Sequence, residues 1–223
     1  MKLKVALATT AFVAIGSAAQ AAPTYCNAGP HADGISVSDV NYSSTGVAPF
    51  SNASNCYGVV IGNTTPVNNA EDGIFGATAF QYADASDAAS GTANLFGGNF
   101  TFTIAGPANG ATTGTYTLSA TDNNGVGSPN YPFSLDFIVA LKASNRYALY
   151  FFDNIVFDGS GGGSWSIEYQ NNGGQIPGLS HLSVFVREGT GGGIPPSATV
   201  PEPTSLALLG LGLLAFGALR RRT

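Results

Sequence analysis

Charge is what this 223-residue sequence has least of. Asp, Glu, Lys and Arg make up 9% of it, where soluble proteins average about 25%. Only eight residues are basic, and five of them, Lys2, Lys4, Arg220, Arg221 and Arg222, lie at the two ends. Between the ends Lys142, Arg146 and Arg187 stand against 13 acidic residues, so the central chain carries about −10 while the whole carries −5. A field of that sign repels polyanions and offers no basic patch to anionic lipid, which excludes nucleic acid as a partner. The surface must take its polarity from Ser, Thr, Asn, Gln and Gly. Disorder is excluded too, because 14 Phe, 9 Tyr and a 44% hydrophobic content are far too apolar for a chain that stays unfolded.

Histidine and cysteine are nearly absent. His31 and His181 are the only imidazoles, neither stands in a His-x-x-x-His metal spacing, and no Gly-x-Ser-x-Gly elbow provides a nucleophile for them to activate. His181 reads as a structural hydrogen-bonding residue. Glycoside hydrolysis needs two carboxylates at a set separation; Asp136, Asp153, Asp158 and Glu168 are available, but composition alone would supply as many. No catalytic residue is assigned, and the chain is expected not to be an enzyme. The two cysteines, Cys26 and Cys56, are too few for a metal site and pair naturally as one disulfide in an exported protein. Closing a loop of this length stabilises a fold by roughly 3–4 kcal/mol in the chain-entropy view.

No apolar run approaches the roughly 20 residues that span a bilayer with ease, but two shorter ones sit at the termini. After Lys2 and Lys4, residues 5–19 are mainly apolar and lead into Ala19-Gln20-Ala21, small residues at the two positions a signal peptidase reads. Residues 1–21 are therefore expected to be a signal peptide cut after Ala21. At the other end, residues 206–219 hold 14 positions without a polar side chain, about 21 Å of helix, against a core of about 30 Å. Residues 204–223 make a marginal transmembrane helix whose three arginines would stay in the cytoplasm, with bilayer thinning and snorkelling absorbing the mismatch.

Immediately before that run stand Pro201, Glu202 and Pro203. Triplet, short apolar helix and terminal Arg220, Arg221 and Arg222, in this order at the extreme C-terminus, resemble the PEP-CTERM sorting signal of Gram-negative bacteria. The resemblance covers about 24 residues and implies recognition and cleavage by an exosortase-type enzyme, with the triplet as recognition motif and the arginines as anchor stop. It implies nothing about the cargo. Residues 141–152, 171–174 and 178–182 further look like the last strands of many PEP-CTERM cargo proteins, which points to a shared sandwich ectodomain.

The body between the tags alternates apolar and polar residues. Phe100, Phe102 and Ile104 oppose Thr101 and Thr103; Tyr116 and Leu118 oppose Thr115, Thr117 and Ser119. Period two means strand, and the same reading covers residues 35–40, 57–61, 74–80, 133–141, 146–152, 154–157, 164–170 and 181–187, with Trp165, Ile167, Tyr169, Leu182, Val184 and Val186 facing inward. Turns are expected at 107–110, 122–127, 143–145, 159–163 and 171–174, and residues 83–94 read as a loop. About ten short strands at this spacing predict an all-β, antiparallel, jelly-roll-like β-sandwich over residues 22–188. Residues 189–203, rich in Gly and Pro, read as a stalk.

Two binding chemistries remain for this ectodomain. Asp122 with Asn124, and Asp153 with Asp158, combine hard oxygens with turns as calcium sites do, although Asp and Asn also cap turns through their own backbone. Sugar binding wants exposed rings. Trp165 falls in the core phase, leaving Tyr131 and Tyr150 as the expected platforms. The sequence thus describes an exported, transiently membrane-anchored surface or extracellular-matrix protein, of exopolysaccharide or biofilm type, with signal peptidase, an exosortase-type enzyme and the membrane as partners. A lectin-like module for extracellular polysaccharide, with or without calcium, is the alternative.

Overall fold

Alternation resolves into strands over most of the body. The computed structural model describes residues 24–26, 34–62, 74–76, 79–87, 90–107, 109–124 and 131–190. The expected signal peptide with Ala19 and Ala21, His31, and the chain from 191 through the sorting triplet, apolar run and arginines lie outside the described residues. Among the described residues twelve strands form in order: β1 (Thr24–Tyr25), β2 (Asn41–Tyr42), β3 (Ser51–Asn52), β4 (Asn55–Ile61), β5 (Gln81–Ala85), β6 (Thr92–Leu95), β7 (Gly98–Ala105), β8 (Thr113–Asp122), β9 (Phe133–Ala143), β10 (Arg146–Phe157), β11 (Ser160–Ser166) and β12 (Leu179–Glu188). A six-stranded sheet runs β1-β4-β10-β9-β12-β5, a four-stranded sheet β11-β8-β7-β6, and β2 and β3 make a small hairpin. Every pairing is antiparallel.

The two sheets share one apolar interior. Phe100, Phe102, Tyr116, Leu118 and Trp165 from the smaller sheet meet Phe133, Leu135, Phe137, Tyr150, Phe152, Leu182 and Val184 from the larger. Rings cross the gap, Phe100 to Phe133 at 5.2 Å and Phe102 to Phe157 at 6.1 Å between centroids. Each buried Phe stabilises the fold by about 1.5–3 kcal/mol relative to exposure. The outer face of the smaller sheet stays in water and carries hydroxyls: Thr113, Thr115, Thr117, Ser119 and Thr121 of β8 are polar and outward while Tyr116 and Leu118 are buried.

The larger sheet is covered on both faces. All of β9 is buried, because a second cluster of Ile138, Ala140, Tyr147, Leu149, Phe151 and Phe185 packs under Phe75 on its outer side. Here the expected strand over 74–80 gives way: Ile74, Phe75 and Phe80 serve as a lid of side chains, and the strand begins only at Gln81. The expected loop over 83–94 instead contains the end of β5 and most of β6. Asp84 explains the join, since its carboxylate accepts the backbone N–H of Ala85 at 2.8 Å and that of Ile104 at 2.6 Å, tying the edge of one sheet to the other.

Glycine misled the reading of 159–163 as a turn. Only Gly159 turns, with φ of 82°; Gly161, Gly162 and Gly163 lie within β11, opposite Leu118, Thr117 and Tyr116. A Cβ on Gly161 would overlap the Tyr42 hydroxyl, and one on Gly163 the Asn41 carbonyl. The bare backbone is what lets the 40–43 segment close over β11, with Ser43 and Gly162 exchanging N–H···O bonds of 2.8 and 2.9 Å. Cys26 and Cys56 are bonded as a disulfide that staples β1 to the head of β4.

Residues 35–40, expected as a strand, form a short 3-10 turn at Val37–Asp39. Ser36 and Asp39 make a capping box, in which the Ser36 side chain takes the Ser38 N–H and the Asp39 carboxylate takes the Ser36 N–H, a local bond that outcompetes a ladder. The same Asp39 oxygen accepts the Tyr150 hydroxyl at 2.9 Å. Burial pushes the Asp39 carboxyl up from an ordinary 3.8 to about 6, outweighing the bonds from Ser36 and Tyr150 that lower it. A raised folded-state value favours the fold below the unfolded value and loses that contribution as pH climbs through the folded one. Asp39→Asn keeps one oxygen for both donors, so its melting temperature relative to the wild type should rise by about 2–6 °C between pH 4 and pH 6; a constant difference in thermal melts across that window refutes the assignment.

Candidate functional site

The C-terminal chain leaves the body through β12, and the residues that fasten this exit form a connected set. Asp136 of β9 is 1% exposed. Its Oδ2 accepts Arg187 Nε at 2.9 Å and pairs with Arg187 Nη2 at 2.9 Å, while Oδ1 accepts the Asn154 N–H at 2.8 Å. Asn154 sits at φ 52° where the β9–β10 register shifts between Phe152 and Ile155. This is a bulge, and Asn tolerates its left-handed backbone. It also explains why 146–152 and 154–157, read as two strands, are one strand with a kink.

Arg187 continues outward from the ion pair. Nη2 donates to the Phe75 carbonyl at 2.7 Å, and the guanidinium lies 4.2 Å from the Phe80 ring centroid and 5.6 Å from that of Phe151. One cation therefore fastens β12, β9 and the cover made by Phe75 and Phe80. Beyond it the chain stays bound for three more residues: Glu188 accepts the Phe96 N–H, Gly189 N–H donates to the Ser134 carbonyl at 3.0 Å, and Thr190 Oγ1 lies 3.2 Å from Asn154 Oδ1. Gly189 and Thr190, expected to open the stalk, belong to the body. The sequence carries a signal for this set, since Asp136 and Arg187 are charges inside largely apolar strands and only mutual pairing makes such burial tolerable.

The expected ring platforms are corrected. Tyr150 is fully buried, its hydroxyl bonded to Asp39, because β10 lies between β4 and β9 with both faces covered. Burial raises its hydroxyl far above the ordinary phenol range. Tyr131 is half-buried, donates to the Ala120 carbonyl at 2.8 Å and stacks on Phe133 at 5.3 Å; burial, with Asp122 nearby, lifts it to about 12. Among the described residues the exposed rings are Tyr25, Phe50 and Tyr82 instead, which sequence reasoning missed. Trp165, Ile167 and Tyr169 are buried as expected.

Asp122 and Asn124 are brought together, but around a turn. Asp122 Oδ1 accepts the Asn124 N–H at 2.8 Å and also its side-chain amide, and Asn124 Oδ1 accepts the Asn99 N–H at 2.8 Å, fastening the β6–β7 turn to β8. Asp153 accepts the Asn154 amide at 2.9 Å; Asp158 is exposed. Among the described residues no group of three or more His, Cys, Asp and Glu side chains could hold a metal ion. His181, at the opposite end of β12 from Arg187, places Nδ1 3.3 Å from Asp87 Oδ2, and burial lowers it below the usual imidazole range, with Lys142 adding to that and Asp87 opposing it.

Removing one partner of a buried pair costs about 3–5 kcal/mol because the other charge is left desolvated. Arg187→Met should therefore lower the melting temperature by about 6 °C or more, and adding Asp136→Asn should restore part of the loss. An additive double variant in circular-dichroism melts would show that the two side chains are not coupled.

Comparison with known proteins falls on the chain beyond this attachment. No curated protein and no solved structure matches the chain. Residues 199–222 match the family described as the PEP-CTERM protein-sorting motif, so Pro201, Glu202 and Pro203, the apolar run and Arg220 to Arg222 fall within one recognised unit. Beginning nine residues past Thr190, the chain thus carries a PEP-CTERM sorting signal, the kind of tail that exosortases process on exported proteins.

Proposed function

We propose that this chain is a non-enzymatic surface or extracellular-matrix protein, anchored for a time by its C-terminal helix and released or transferred when the PEP tail is cut. The sorting motif at 199–222 carries the reading. The body supports it: the tail is attached to a two-sheet sandwich with a Cys26–Cys56 disulfide and with few cations to attract proteases of basic specificity. An apolar run short of a full span suits an anchor that is made to be cut. Export by way of the N-terminal signal, recognition of Glu202 within the triplet, and retention by Arg220, Arg221 and Arg222 follow from the same reading. Cell fractionation with a C-terminal epitope tests it: the intact chain should lose the epitope during maturation, whereas Glu202→Ala or deletion of residues 220–222 should keep it or misdirect the protein. Identical partitioning and identical epitope retention in all three sinks the reading.

One observation favours a second role. The outer face of the β11-β8-β7-β6 sheet presents hydroxyls in register across strands, with Thr92 beside Thr101, Thr101 beside Thr121, Thr103 beside Ser119 and Thr115 beside Ser164. An uncharged donor-acceptor lattice of this kind suits neutral polyhydroxylated polymer better than an anionic one. A glycan array with purified protein should then return neutral glycans, and Thr103→Ala with Thr115→Ala should reduce binding about ten-fold; no binding to any glycan removes this role and leaves the first untouched.

A further inference from the structure

A cleft of about 210 Å3 opens between the β2–β3 hairpin and the far half of β10. Its position follows from the ladder: β4 pairs with β10 only along residues 146–151, so past Phe151 that edge of β10 faces the hairpin and leaves a gap. Tyr42 makes one wall, 3% exposed and set edge-on against Phe137 at 5.0 Å and Phe152 at 6.1 Å between ring centroids. Pro49, with Ile155 and Val156 of β10, adds aliphatic surface, and three serines, at 43, 44 and 51, add hydroxyls. Val156 stands at the mouth, 64% exposed.

A lining of hydroxyls and aliphatic groups without a charged side chain is poorly matched to an ion or to an apolar peptide. It matches a molecule divided in the same way, and a sugar ring is one, with C–H faces and a rim of hydroxyls. The volume decides how much of a sugar enters: drug-sized ligands occupy about 300–1,000 Å3, so this cleft admits one ring. Asp153 and Asp158, exposed two residues before Ile155 and two after Val156, disfavour an anionic sugar. The opening is also preformed. The Ser43 hydroxyl donates to the Val47 carbonyl at 2.6 Å, the Gly46 N–H to the Ser43 carbonyl at 3.1 Å and the Ala53 N–H to the Val40 carbonyl at 3.1 Å, so little ordering remains to be done on binding. Ser43 is committed to that loop, whereas Ser44 and Ser51 are exposed and offer their hydroxyls to the opening.

The hairpin also joins the cleft to the hydroxyl face. Ser43 exchanges N–H···O bonds with Gly162, and β11, the edge strand of that face, places Ser160 beside Ser119 and Ser164 beside Thr115. We propose that the cleft holds a single neutral sugar ring of a polymer whose other rings lie against the hydroxyl face. Ser44 and Ser51 hydrogen-bond the ring hydroxyls, and Pro49 and Val156 cover a C–H face. The link to a polymer rests on the glycan role proposed above; capture of the ring does not.

Saturation-transfer NMR on the full chain in a zwitterionic, sugar-free detergent tests this, with the methyl glycosides of glucose, galactose and mannose and neutral hexasaccharides of the same sugars as probes. At least one methyl glycoside should receive saturation and compete with its hexasaccharide. Ser44→Val with Ser51→Val should weaken both about ten-fold, as the loss of two hydrogen bonds requires. Val156→Trp, which fills the opening from its rim, should abolish binding of the methyl glycoside. Thr103→Ala with Thr115→Ala should weaken the hexasaccharide alone. Hexasaccharide binding without any methyl glycoside binding, or methyl glycoside binding that both cleft variants leave unchanged, overturns the cleft and leaves the glycan role standing. Binding of no sugar at all removes both. The residues replaced in the cleft are exposed, so an unchanged melting temperature is the control for folding.

Discussion

The Asp136–Arg187 pair is the interaction on which the rest of the large sheet depends. Two charges at the heart of a covered sheet face would be costly alone, and each is satisfied by the other together with a backbone group, Asn154 N–H for the acid and the Phe75 carbonyl for the base. These four contacts settle several things at once. They fix the bulge in β10, they hold Phe75 and Phe80 against Phe151 and Phe185, and they set the register of β12 on β9 at Arg187 and Asp136. A purely apolar substitute could fill the volume, and buried ion pairs are often replaceable in that sense. It could not specify where the kink falls.

The covered outer face is also what separates the legible part of the fold from the illegible part. In β7 and β8 one face meets water, so Phe100, Phe102, Tyr116 and Leu118 alternate with hydroxyls and the strands are evident from sequence. In β9 and β10 both faces are buried. The strands expected over 133–141 and 146–152 are present, but the sequence offers no way to tell which side of Tyr150 is solvent, because neither is. Residues 35–40 failed for the opposite reason: Ile35, Val37 and Asp39 alternate well enough with serines to look like a strand, yet Ser36 and Asp39 at a capping spacing close a local turn. The glycines of β11 carried a turn signal by composition, whereas their role is to admit the Asn41 and Tyr42 backbone at close range.

For the site, the division runs along the chain. The tail was legible because its parts are defined by order and spacing alone, and the motif match at 199–222 needs no tertiary structure. The attachment was not. Ser134 and Asp136 of β9, Asn154 of β10 and Thr190 just past β12 come from three separate stretches of sequence, and only the antiparallel arrangement of these strands brings them to one place. The calcium candidates divide in the same way: Asp122 and Asn124 met as spacing predicted, but with each other and with Asn99 as partners, the ordinary use of such residues in a turn.

How the two ends of the body are secured bears on what the tail can transmit. The N-terminal strand β1 is two residues long and lies at the sheet edge, where few ladder bonds resist peeling; the Cys26–Cys56 disulfide supplies covalently what the short ladder cannot. The C-terminal strand β12 is interior, flanked by β9 and β5, ten residues long and clamped at Arg187. A pull on the tail, whether from an anchored helix or from a processing enzyme, runs along the axis of β12 and loads both neighbouring ladders in shear, together with the ion pair. Many bonds must then fail together. Sequential peeling is available only at an edge, so the end of the body that leads into the sorting signal is the end this architecture makes hardest to unzip.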